Sequence, residues 1–255
     1  MATEGSLDEL IDRMESTLDR LQEDPGTHRR AFFLATYLRT TRAVSDDVAA
    51  GAFRDPGWVA RWDVAFASLY LDALDRWTDH GTAPEPWRVA FAAADGHDHL
   101  PPLRHVLLGM NAHINYDLPQ ALLAVITDEE FGDPTVVDRR RVDHEQIDQI
   151  LASRVAAEDR ELRHVEQPGD RTWLDRLLTP FNRTATRRFL KEARAKVWRN
   201  TMRLSQARRG GGMDTELREL EVLAGRRVAD LREPGPVVLR LARDGFGVEL
   251  STRGG

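Results

Sequence analysis

The chain has 255 residues, 41% hydrophobic and 31% charged, with a formal net charge of -6. That balance describes a soluble acidic protein long enough to bury a proper core, and it excludes a chain disordered throughout. There is no cysteine, which excludes disulfides, thiolate metal sites and cysteine nucleophiles.

The first fourteen residues are acidic and amphipathic, without the basic and apolar regions of a secretory signal. No run approaches the roughly 20 apolar residues of a membrane span, so a cytoplasmic protein away from the membrane is expected. Leu7, Leu10, Ile11, Met14, Leu18 and Leu21 form a helical stripe with Ser6 as N-cap, ended by Asp24-Pro25-Gly26. A second helix, from Thr27 to about Phe53, carries Phe33, Tyr37 and Val44 inward and stops at Asp55-Pro56-Gly57. The third, about Pro56 to Thr78, turns Val59, Trp62, Phe66, Tyr70 and Trp77 to one face, with Asp63 among them. Pro84 to Ala94 is a short helix with Trp87, followed by the polar loop at Gly96 to Pro102.

A helix from about Pro102 to Tyr116 follows, which Pro119 should end or kink, and a second segment runs from Leu118 to Ile126. Beyond an acidic loop, a long helix starting at Val137 or Asp143 reaches Leu162, then a short one covers Trp173 to Leu178. Ala185 to about Ala207 is long and helical, and Arg208 to Gly212 reads as a linker. After it come a helix over Asp214 to Leu231 and a tail with a hairpin signal at Asp244-Gly245. The expectation is an all-α protein: one bundle-like domain over residues 6–207 and a C-terminal helical appendage over 213–255.

The densest chemistry lies between Leu107 and Leu122, an apolar run carrying Asn111, His113, Asn115, Tyr116 and Asp117. Polar groups on an inward helical stripe lose water and need partners. His113 and Asp117 are i, i+4 and project from one face, as two ligands for a divalent metal or as an imidazole base with its orienting carboxylate. The same spacing also fits two residues that satisfy each other at a kink, or Asp117 as the N-cap of a helix restart.

Three further charges sit on otherwise apolar faces of other helices: Asp63; Asp143, in line with Ile147; and Arg194, in line with Val197 and Thr201. Burying one unpaired charge is very costly, so they are expected to meet in a polar cavity. Each has a plainer reading: an edge carboxylate for Asp63, a capping box with Gln146 for Asp143, a register-fixing ion pair for Arg194. The candidate catalytic residues are therefore His113, Asp117 and Asp63. Asn111, Asn115, Tyr116, Tyr70, Arg194 and Asp143 are candidate ligand contacts, and His113 with Asp117 are candidate ligands of a divalent metal.

Asp95, His97 and His99 share a polar loop, where solvated surface is the ordinary reading. Glu161 and His164 give one Glu-x-x-His, and di-iron bundles need two. Ten basic residues against one acid between Arg183 and Arg209 read as a solvated face balancing an acidic body, so a nucleic-acid partner is not expected. No phosphate loop, dinucleotide fingerprint or nucleophile elbow is present.

The run GMNAHINYDLPQAL, with FRDPGW and WDVAFASLYLDAL before it, resembles a bacterial family of helical proteins described as a domain of unknown function. The likeness spans roughly residues 30 to 205 and carries over no activity. The same run looks faintly like the His-x-x-x-Asp helix of zinc-dependent phospholipases C, but their further histidines and N-terminal tryptophan are missing here. Two functions are expected from these residues. The first is an enzyme or small-ligand-binding protein with an interior polar pocket, acting if catalytic by metal-assisted hydrolysis or oxidation. The alternative is a helical interaction domain whose inward polar groups fix packing.

Overall fold

The computed structural model of the chain describes residues 6–96, 100–147, 180–234 and 237–251. Within them the fold is all-α. The elements are α1 (Leu7–Glu23), α2 (Ala31–Ala49), α3 (Pro56–His80), α4 (Glu85–Asp95) and α5 (Pro102–Ala112). A π-helical turn (His113–Asp117) leads into α6 (Leu118–Val125) and α7 (Asp128–Gly132), followed by α8 (134–147), α9 (Pro180–Gly210), α10 (Met213–Arg232) and α11 (Val237–Asp244). No helix among the described residues is long and apolar enough to cross a membrane. The helices expected over Trp173 to Leu178 and from residue 148 to Leu162, together with Glu161, His164 and the loop residues His97 and His99, lie outside the described residues.

Local chemistry sets the helix ends. Ser6 and Glu9 form a reciprocal capping box at α1, as Thr127 and Glu130 do at α7. Asp55 caps α3 by accepting from Trp58 N–H, Pro56 occupies the first turn, and Gly81 closes the helix at φ 66°. α3 packs on α2 and α6, α9 on α6, and α10 on α4 and α5. Their shared core holds Trp58, Trp87, Tyr70, Leu108 and Leu122 almost without exposure, each large apolar side chain contributing about 1.5–3 kcal/mol.

Three readings of the sequence are corrected here. The Arg208 to Gly212 segment is not a linker: α9 continues through Gly210, and Arg208 is tied to Asp128 at 2.5 Å and to Leu123 carbonyl oxygen at 2.8 Å. α10 is no appendage, because Leu220, Ala224 and Val228 are fully buried in the common core. The hairpin is absent too. Residues up to Asp244 are helical, Gly245 turns at φ 73°, and residues 246–250 run as an extended tail whose backbone polar groups bond to side-chain amides instead of a strand.

Candidate functional site

Pro119, expected to end or kink the helix, does not end it but distorts it. Lacking an N–H, it cannot donate to the carbonyl four residues back, and the chain absorbs one extra residue as a π turn in which Leu118 N–H bonds to His113 carbonyl oxygen. π turns of this kind recur at functional sites. All five residues, His113–Asp117, are buried.

Within the turn, His113 Nδ1 and Asp117 Oδ2 are 2.8 Å apart, and Trp87 on α4 donates its indole N–H to the same oxygen at 2.8 Å. With the carboxylate accepting from both, Nδ1 carries the proton and Nε2 keeps a lone pair. Nε2 is buried and has no hydrogen-bond partner among the described residues. The His113 ring stacks on Phe66, centroids 3.5 Å apart and planes 6° apart, and meets Tyr37 edge-on at 4.5 Å. Burial lowers the pKa of His113 against the pull of Asp117, and burial raises that of Asp117 against the hydrogen bonds of His113 and Trp87. Both shifts favour uncharged forms, because burial strips solvent from the charged ones.

His113 is one wall of a cavity of about 90 Å³ between α2, α3, the π turn, α8 and α9. Tyr37, Trp62, Asp63 and Arg194 also line it, with Phe33 and Phe66 among the apolar side chains. Arg194 aside, four buried polar atoms belonging to its wall have no hydrogen-bond partner among the described residues: Tyr37 hydroxyl, Trp62 Nε1, Asp63 Oδ2 and His113 Nε2. The Thr41 hydroxyl is near enough to weigh on the Tyr37 phenol, yet no well-formed bond joins them. Asp63 is 8% exposed, and burial alone pushes its pKa up to about 7. Arg194 does not neutralise it. Its guanidinium donates to His144 carbonyl oxygen and lies 5.8 Å from the Trp62 ring centre. Arg194 also lines a second cavity of about 440 Å³, with His144, Arg141, Lys191, Trp198 and Arg199.

Of the residues singled out from the sequence, the fold thus gathers Asp63, His113 and Arg194 at one cavity and sets Asp117 behind His113. The others serve elsewhere. Asn111 and Asn115 both donate to Phe246 carbonyl oxygen at 3.0 Å, and Asn115 accepts from Val248 N–H at 2.9 Å, so they hold the C-terminal tail rather than a ligand. Tyr70 packs against Phe33 and Trp87, and Tyr116, next to Gln120, feels the charge of Glu221 on α10. Asp143 is no N-cap, because α8 begins at 134 with Asp133 as its cap. It accepts from Arg54 and Asp55 N–H at 2.8 and 2.9 Å and fastens α8 to the loop before α3.

The pairing of His113 with Asp117 also bears on the metal expectation. Asp117 Oδ2 is committed to two donors, and among the described residues no group of three or more His, Asp or Glu side chains converges. The donor set does not fit a metal centre of the usual kind. Sequence reasoning missed Tyr37, Trp62, Trp87 and His144. For the first three the signal was present, since a tyrosine or tryptophan on an inward face brings a polar atom that needs a partner. His144 is placed only by tertiary packing, between Trp62 and Trp198 of two other helices, which periodicity does not show.

The chain belongs to a family of unknown function, DUF5995, whose pattern matches residues 7–234. Among curated proteins and solved structures, none matches it. The family match covers every residue of the cavity wall and stops before the tail that Asn111 and Asn115 hold.

Proposed function

We propose that the protein binds a small, largely apolar molecule in the cavity between α2, α3, the π turn and α9. One observation carries this reading: Arg194 aside, four buried polar atoms without a partner among the described residues belong to the wall of a single, mainly apolar cavity. Leaving one such atom unpaired costs about 1–3 kcal/mol, and native interiors avoid it. Apolar walls with a few polar groups are the usual make-up of a small-molecule site. The interaction-domain alternative lacks a comparable feature: among the described residues Val222 is the large hydrophobic side chain left exposed.

A second reading makes the same site catalytic. Asp117 orients His113 so that Nε2, an acceptor, belongs to the wall that also holds Asp63, a carboxyl whose pKa is about 7. A base and an acid in that arrangement can move a proton to and from a bound molecule.

Thermal unfolding with small ligands tests the binding reading. At ten times its Kd a ligand stabilises by about 1.4 kcal/mol, a rise of roughly 3 to 5 °C for a chain of this size. Thr40→Phe, which places a ring in the cavity, should remove that rise. A ligand that stabilises both proteins equally binds elsewhere.

A further inference from the structure

The polar groups of the cavity are not a random set. Among the described residues Asp63 has no hydrogen-bond or ion-pair partner, and it is the acidic side chain of the wall. The positive group of the same wall, Arg194, is engaged with His144 carbonyl oxygen and the Trp62 ring. A guest anion would meet an uncompensated carboxylate, and a neutral guest would leave it uncompensated. A guest cation would neutralise it.

The hydrogen-bond inventory points the same way. Asp63 oxygen, His113 Nε2 and Tyr37 oxygen can each accept, against two donor-only groups, Trp62 Nε1 and the Arg194 guanidinium, the latter already engaged with His144 carbonyl oxygen. An alkylammonium offers three donors and accepts nothing. Phe33, Tyr37, Trp62 and Phe66 add aromatic rings, which attract cations where water is excluded. Size narrows the choice further. A dry cavity of about 150 Å³ takes benzene, so one of about 90 Å³ suits a branched aliphatic group of four or five heavy atoms.

We propose that the cavity takes a small aliphatic primary amine in its protonated form, its ammonium against Asp63 and its alkyl group among Val44, Val59, Met110 and Ile114. This rests on the reading of the cavity as a ligand site and names the ligand class. Binding the cation ionises Asp63, so below the point where that carboxyl is already ionised each binding event releases a proton to solvent. The other titratable groups of the wall are Tyr37 on α2, His113 at the π turn with Asp117 behind it, and Arg194 on α9.

The test uses the full chain and three probes of one carbon skeleton: isobutylamine, isobutanol and isobutyrate, compared by calorimetric titration at about pH 8. The amine should bind at least about tenfold more tightly than the alcohol, a factor equal to 1.4 kcal/mol, and the carboxylate should bind least. Titration at about pH 6 in buffers of different ionisation enthalpy should show proton release with the amine and none with the alcohol. Asp63→Asn should bring amine and alcohol to within about twofold of each other. If the alcohol matches the amine, or isobutyrate binds best, in the unaltered protein, the amine assignment fails while the ligand site stands. If none of the three binds, both fail.

Discussion

Trp87 and His113 meet on one oxygen: the indole N–H and the imidazole Nδ1 each lie 2.8 Å from Asp117 Oδ2. A helix elsewhere in the fold therefore fixes the orientation of an imidazole in the π turn, through a carboxylate that neither could satisfy alone. Trp87→Phe keeps most of the ring volume and removes the donor. It should destabilise the fold by about 1–3 kcal/mol in urea denaturation and raise the Asp117 pKa further, because the lost hydrogen bond is one of those holding it down.

Asp63 gives a stability profile of definite sign. Its folded pKa, about 7, lies above its ordinary 3.8, so the folded state holds a proton that the unfolded state has released. That contribution is fully present below about pH 4 and is lost as pH rises toward 7. The loss is of the order of 4 kcal/mol. Asp63→Asn should remove this slope and leave the protein more stable than the parent at about pH 8. Chemical denaturation across the range reads it directly.

His144 acts at the opposite end. It lies between Trp62 and Trp198 with both ring nitrogens unpartnered, and burial, aided by the Arg194 charge, holds its pKa well below the usual histidine range. The unfolded chain takes up a proton below about pH 6.5 that the folded chain refuses, so this part of the stability is lost as pH falls. His144→Phe should lose less stability than the parent between about pH 6.5 and 5, measured by melting temperature.

Gly109 sets how closely α2 approaches α5. A Cβ at this position would stand 2.4 Å from Phe33 Cγ, and Phe33 is part of the cavity wall. Gly109→Ala should displace that ring at a cost of about 1–3 kcal/mol and weaken ligand binding with it. A variant of unchanged stability and unchanged affinity would show that Phe33 has room to retreat.

Much of this was legible in the sequence because helices announce themselves by period and by caps: Ser6 and Pro56 mark helix starts found within a residue, whereas the second helix stops at Ala49, short of the Asp55 signal. Inward charges on apolar faces correctly marked Asp63, His113 and Arg194 as buried. What period cannot show is which buried groups meet. Asn111 and Asn115 stand two residues to either side of His113, on another face of the helix, and their partners are Phe246 and Val248, more than a hundred residues away. The tail itself was misread because its hydrogen bonds come from Asn115 and Asn200 side chains, which leave no alternation to read. Gly247 belongs to the same arrangement, since a Cβ there would lie 2.7 Å from Ala193 Cα.

The central claim is that the cavity bounded by Asp63 and His113 holds a small ligand. Methyl NMR of the full chain during separate titrations with isobutylamine, isobutanol and isobutyrate tests it most directly, because Val44, Val59, Met110 and Ile114 line the cavity and the claim needs a response to at least one of the three. Shifts that begin at these four methyl sets and saturate together are the predicted result; four unmoved sets, with changes confined to methyls elsewhere in the protein, would contradict it.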